Sequence, residues 1–173
     1  GINKSPCTRM GTAALLRDFL QKCRHYLDKK ESGKEPVYDS KMEAMIPVMK
    51  REIPLKAHAH RADDIFTAIR IAKEFNLHMT IDHCTDGLLI ADSLADEGFP
   101  TLVGPAFFVA KKSEVINNSF STPAVLHNAG VSVSIISDAT VTPIQYLPLC
   151  AGLAVSEGLP LEAGWKAITI NPA

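Results

Sequence analysis

Neither sign of charge is in excess in this sequence: 18 Lys and Arg stand against 19 Asp and Glu, a formal net charge of -1 over 173 residues. That balance lacks the electrostatic footprint of a nucleic-acid-binding surface. Long apolar runs are missing too. No stretch reaches the roughly 18 uninterrupted apolar residues that a membrane-spanning helix needs, so no membrane association is expected. The opening GINKSPCTRMG has no apolar core after its first basic residue and does not read as a secretion signal. Cysteine is sparse. Cys7, Cys23, Cys84 and Cys150 are scattered, with no CxxC pair among them. This argues against a disulfide framework or a zinc finger and for thiols in a reducing compartment, so the expected location is the cytoplasm. Neither GxGxxG nor GxxxxGK followed by Ser or Thr occurs, which removes the common phosphate-cradling loops.

What is present is ordinary for one globular domain. The chain is 46% hydrophobic and 21% charged. A chain of this length buries roughly 70% of the surface it exposes unfolded. Charge is uneven along it: residues 1–60 hold 12 basic and 7 acidic residues, and 61–173 hold 6 and 12. In the basic third the acids are interleaved, which reads as a solvated helical face. Leu15, Phe19, Cys23 and Leu27 recur at helical steps within residues 12–30. A second helix is expected over about 40–50, with Ser40 as its N-cap and Met42, Met45, Ile46 and Met49 as core filler. The reading is one domain, 1–173, with a helical lead-in over 1–52 and four βα units over 53–173.

Strand-like runs begin near residues 53, 77, 100 and 131, with helical stretches between them. The expected helices are ADDIFTAIRIAKEFN, TDGLLIADSLADEG, STPAVLHNAG, QYLPLCAGLAVSEG and PLEAGWKAITI. Gly98 and Gly130 close two of them. Strands alternating with helices of this length imply βαβ units and a parallel sheet, and strands covered by helices on both sides should be apolar on both faces.

In parallel α/β folds chemistry collects at the C-terminal strand ends. Run one ends in His58-Ala59-His60, run two in Asp82-His83, run three in Gly104-Pro105 and run four in Ser137-Asp138. If these ends converge, His58, His83 and Asp138 face one volume. Imidazoles and a carboxylate are the ligand set of catalytic Zn²⁺ and related divalent metals. His58 and His60, two apart, share one face of a strand; alternatively His60 stands just past the strand end, supporting a ligand or meeting substrate. Arg9 is either a contact for a substrate anion or a surface cation. His25, His78 and His127 lie away from the strand ends and read as structural, as does Cys84, a small buried residue rather than a nucleophile. Asp63 and Asp64 suit the helix start after His60. The loop 106–120, with Phe107, Phe108, Lys111 and Lys112, either shapes specificity or serves as a cover.

At these same positions the sequence resembles the metal-dependent amidohydrolase superfamily, in its imidazolonepropionase-related and dipeptidase-like branch. The resemblance rests on HAHRADDI at 58–65, TIDHCTDG at 80–87, VGP at 103–105, SIISDATVTPIQYLPLCAGLAVSEGL at 134–159, AITINPA at 167–173 and SPCTRMGTAALLRDFL at 5–20. It implies α/β architecture and a partial TIM (β/α)8 barrel, about strands five to eight with flanking helices. By the same resemblance His58 is a metal ligand, and His83 is a metal ligand or a group polarising the substrate carbonyl. Asp138 binds metal and takes the proton of the attacking water. The implied activity is hydrolysis of a C–N bond in a small amide or cyclic amide substrate, with a divalent metal, Zn²⁺ first, as cofactor.

A complete barrel of this kind needs about 250 residues. The family's first-strand His-x-His motif has no counterpart here, and its β-sandwich segments are absent. The chain therefore reads as a fragment, inactive in isolation, that forms a homo-oligomer or pairs with the missing half. The competing reading is a structural half-barrel that folds or oligomerises without chemistry.

Overall fold

The computed structural model describes residues 6–107 and 112–173. The chain divides into two compact units, one comprising residues up to 55 together with 67–78, the other residues 56–66 and 79–173. Among the described residues no helix is long and apolar enough to cross a membrane.

In the first unit, α1 (Arg9–Glu31) begins where Thr8, in an extended conformation, accepts the Gly11 N–H through Oγ1 at 3.0 Å. Lys29 and Lys30 occupy its last turn, where cations complement the helix dipole. The next helix, α2 (Ser40–Met49), is capped by Asp39 and not by Ser40: the Asp39 carboxylate accepts from the amides of Lys41 and Met42. Ser40 is its first helical residue. The α2 methionines are half-buried, and Met42 Sδ accepts from the buried Cys23 thiol at 3.6 Å. The C-terminal part of α3 (Ala62–Phe75) belongs to this unit as well. There the Arg17 guanidinium donates to Glu74 at 2.6 Å, and Arg24 lies 4.6 Å over the Phe75 ring. Two of the structural histidines are also here, His25 bonded to Gln21 and His78 to Arg51.

The second unit holds a four-stranded sheet in the order β1-β2-β3-β4, formed by β1 (Leu55–Ala59), β2 (Met79–His83), β3 (Thr101–Val103) and β4 (Val133–Ile135). Each strand begins one or two residues after the sequence places it. β2 pairs parallel with β3, Asp82 opposite Leu102, and β3 pairs parallel with β4, Leu102 opposite Ser134. Beside β4, α5 (Thr122–Asn128), α6 (Leu147–Ser156) and α7 (Leu161–Ala167) pack Ala124, Cys150, Ala151, Ala154 and Ala167 around Ile135 and Leu159.

Two expectations are corrected here. The strands are not apolar on both faces: the pleat places Lys56 with His58, and Thr80 with Asp82, opposite the faces of Ala57, Ala59 and Ile81. Lys56 donates to Asp82 at 3.1 Å, so this face carries an ion pair. TDGLLIADSLADEG is not one helix but a 3₁₀ turn, Thr85–Leu89, followed by α4 (Ala91–Glu97). Ile90 lies between the two with φ -132° and ψ 23°. Gly87, in the 3₁₀ turn, is closely packed: an added Cβ would stand 2.8 Å from the Cys84 sulfur and 3.2 Å from Leu126.

Candidate functional site

Local sequence brings three imidazoles together at the exits of β1 and β2. His58 projects from the polar face of β1, and His60 is the first residue beyond that strand. His83 closes β2 with φ 71°, and Cys84 follows at φ 48°. Two successive left-handed residues are costly outside glycine, and such strain persists only where the surroundings enforce it. The left-handed pair thus falls at the exit of β2, beside the His58 ring.

The ring centroids of His58 and His83 lie 4.3 Å apart, and those of His58–His60 and His60–His83 both 4.8 Å apart. One ring nitrogen from each residue can be chosen so that all three lie within 4.8 Å of one another. His83 is 9% exposed, His60 half-buried and His58 exposed, so the group opens to solvent at His58.

Hydrogen bonds orient two of the rings. His83 Nδ1 lies 2.7 Å from the Gly104 carbonyl oxygen. A carbonyl only accepts, so Nδ1 carries the proton and Nε2 keeps its lone pair. His60 Nδ1 is 2.8 Å from the hydroxyl of Thr85, which is 5% exposed. Fixing one ring nitrogen of a histidine so that the other faces outward is how proteins prepare it as a metal ligand.

The Gly104 carbonyl is available because residue 104 is glycine. Its φ is 125°, and a Cβ there would stand 2.3 Å from the Ile136 carbonyl oxygen.

The electrostatics favour neutral rings. Burial, then the neighbouring His83 and His58, push the His60 imidazole down to about 4. His58 is also pushed below its ordinary value, first by partial burial and then by His83, against the opposing charges of Glu114, Asp138 and Asp82. Neutral imidazole is the form that ligates metal. Three nitrogen donors within 4.8 Å of one another suit Zn²⁺ and its neighbours among divalent metals.

Of the residues singled out by sequence, the structure assembles His58, His60 and His83. Asp138 is not part of that group: β4 stops at Ile135, and Asp138 stands in the following turn, exposed, at φ 47°. It acts on His58 through its charge. Arg9 opens α1 in the other unit and is exposed. Phe108 and Lys111 lie outside the described residues. Phe107 packs edge-on against Phe120 at 5.0 Å, and Lys112 pairs with Glu114 at 3.5 Å. Cys84 is fully buried, and burial pushes its thiol up to about 12, which leaves it no nucleophilic form near neutrality.

Thr85, the Gly104 carbonyl and Glu114 were not singled out by sequence. The adjacency of Thr85 to Asp82-His83 was the one available signal; the other two depend on how distant segments meet.

One solved structure, the crystal structure of an amidohydrolase from Thermotoga maritima MSB8, is similar to this chain at 39% identity and a TM-score of 0.92. The match covers 98% of this chain and 46% of that one, so the chain spans less than half the length of that protein. No protein-family model matches the chain, and no curated protein does.

Proposed function

Because the chain belongs to the amidohydrolase superfamily, we propose that it forms part of a metal-dependent hydrolase acting on a C–N bond, in an amide or a cyclic amide. The observation that carries this reading is the convergence of His58, His60 and His83 with their donor nitrogens within 4.8 Å. The four strands correspond in this reading to about strands five to eight of a (β/α)8 barrel, in the imidazolonepropionase-related and dipeptidase-like branch.

His58 and His83 are the proposed metal ligands, through the ring nitrogens left open at the exits of β1 and β2. His60 completes the donor set or contacts substrate. A bound Zn²⁺ would supply Lewis acidity, with the pKa of its water near 7. The remaining work belongs to the chain. The Gly104 carbonyl holds the proton on His83 Nδ1, so that His83 cannot rotate its lone pair away. The Asp138 carboxylate is the proposed acceptor of the proton from the attacking water and its donor to the leaving nitrogen, a task that suits an exposed carboxylate at a strand exit. Arg9 is a proposed contact for an anionic substrate group. The proposed setting is the cytoplasm, in keeping with the buried thiols Cys23, Cys84 and Cys150. A second copy of the chain, or the rest of a barrel, is the proposed partner.

Metal analysis and Zn²⁺ titration of the purified chain test the centre directly. Uptake of one ion, lost in His58→Ala and His83→Ala, is expected. A chain that takes up none would favour the structural half-barrel. In a longer protein carrying this chain, normal hydrolysis of an N-acyl amino acid panel by His83→Ala or Asp138→Asn would remove the assigned roles.

A further inference from the structure

The segment Thr85-Asp86 follows the second metal-candidate histidine by two residues, and it grips the strand end of the first. The Thr85 hydroxyl meets the His60 ring at 2.8 Å. The Asp86 amide donates to the His60 carbonyl at 2.8 Å. The Asp86 carboxylate then uses both oxygens. Oδ2 accepts the Ala62 N–H at 3.0 Å, and Oδ1 accepts from Asn117 Nδ2 at 2.8 Å.

Ala62 is the first residue of α3 and lies two residues beyond His60. Its amide is one of those a helix start leaves without an internal partner, and a carboxylate there is favoured by the helix dipole. Asp63, the next residue, has other partners. Asp63 pairs with Arg61 and accepts the Asp64 amide instead. The start of α3 is thus held from the neighbouring strand exit, by a residue that also ties down the Asn117 segment after β3.

We propose that Asp86 is a positioning residue for the histidine centre: it fixes the His60 backbone between β1 and α3 and, through Asn117, couples that placement to the segment after β3. This rests on the metal-centre reading only for its effect on metal affinity; the effect on His60 stands apart from it. In this proposal Asp86 acts through the bonds it accepts from Ala62 and Asn117 rather than through a direct charge effect on the imidazoles.

That distinction makes the proposal testable in the full chain with ¹⁵N-labelled histidine. Asp86→Ala removes both carboxylate bonds. The ring ¹⁵N signals of His60 should then shift from those of the parent, and Ala62 amide exchange should quicken about tenfold or more, the loss of one charge-assisted bond. Zn²⁺ affinity should fall about 10–100-fold, the usual effect of losing support behind a ligand. In Asp86→Asn, Oδ1 can still accept from Ala62, and the new amide can donate to Asn117 once its side chain turns over. This variant should keep the parent's His60 signals and Zn²⁺ affinity, with Ala62 exchange lying between those of the parent and Asp86→Ala.

An Asp86→Ala chain with unchanged His60 signals and Ala62 exchange would overturn the proposal. So would Asp86→Asn behaving like Asp86→Ala, which would assign the effect to charge. If Asp86→Ala does not fold, Asn117→Asp sets carboxylate against carboxylate and should disturb His60, and adding Asp86→Asn should restore it; no restoration counts against the coupling. A parent chain that takes up no Zn²⁺, while His60 and Ala62 respond as stated, removes the metal centre and leaves the role of Asp86 on His60 intact.

Discussion

The imidazoles of His60 and His83 are stacked, their centroids 4.8 Å apart and their planes 20° from parallel, although they leave the sheet from different strands. Two cations cannot share that distance cheaply, which is part of why His60 resists protonation.

Stability of the metal-free chain should therefore depend on acid in a defined window. An unfolded histidine takes up its proton near 6.5, while folded His60 does so only near about 4, and folded His58 is lowered in the same direction. The unfolded state binds more protons across that interval, so stability falls as pH drops from about 6.5 toward about 4 and does not change on this account above it. Urea unfolding at stepped pH measures this. The slope between about pH 7 and 5 should flatten in His60→Asn, and an equal slope in both chains would contradict it.

Zn²⁺ should stabilise the folded chain, since the unfolded chain has no assembled group of nitrogens. At 100 times its dissociation constant an ion adds about 2.7 kcal/mol. Thermal unfolding with and without Zn²⁺ reads the gain, and a chelator should abolish it. His58→Ala should show no metal-dependent shift.

Thr85→Val removes the hydroxyl that meets His60 Nδ1 while keeping a β-branched side chain in a buried position. Metal affinity should fall about 10–100-fold. Calorimetric titration checks this. An unchanged dissociation constant would mean that the hydroxyl does not orient the ring.

Gly104→Ala should be among the most disruptive small substitutions in the chain. Its Cβ meets the Ile136 carbonyl oxygen at 2.3 Å, and its φ of 125° disfavours any side chain. Backbone strain alone costs about 1–3 kcal/mol. A lowered urea midpoint is expected, together with weaker metal binding, because the same carbonyl holds His83.

Asp138→Asn separates metal binding from chemistry. Asp138 stands outside the histidine group, so Zn²⁺ affinity should stay within about threefold of the parent, less than one pKa unit's worth of interaction. In an amidohydrolase assembled around this chain, turnover should be lost while substrate still binds. A Zn²⁺ affinity that falls as far as in His83→Ala would make Asp138 a ligand instead.

Much of the architecture was legible because its signals are local. Apolar runs separated by helical periodicity marked all four strands, and Gly98, at φ 72°, ends α4 as expected. His58 and His83 were legible for the same reason, as polar residues where an apolar run should leave the core. Asp39 displaced Ser40 as a cap because a carboxylate reaches two amides at once, a contest that spacing alone does not decide. His60 joined the group because β1 ends at Ala59, releasing the next residue from the pleat. The left-handed turn at His83, the carbonyl of Gly104 and the bonds of Asp86 were out of reach, because they depend on backbone from three strand exits meeting in space. The polar face of the sheet was missed for a simpler reason. Lys56 and Asp82 balance each other at 3.1 Å, so each looked out of place alone.

The buried thiol of Cys84 bears on which donors a metal would meet at the proposed centre. It is next in the chain to His83, yet it packs against Gly87 and stays protonated far above neutral pH. A thiolate in that place would have added a soft donor, drawn copper(I) and offered oxidants a point of attack. With the sulfur locked away, the three histidines provide only borderline nitrogen donors.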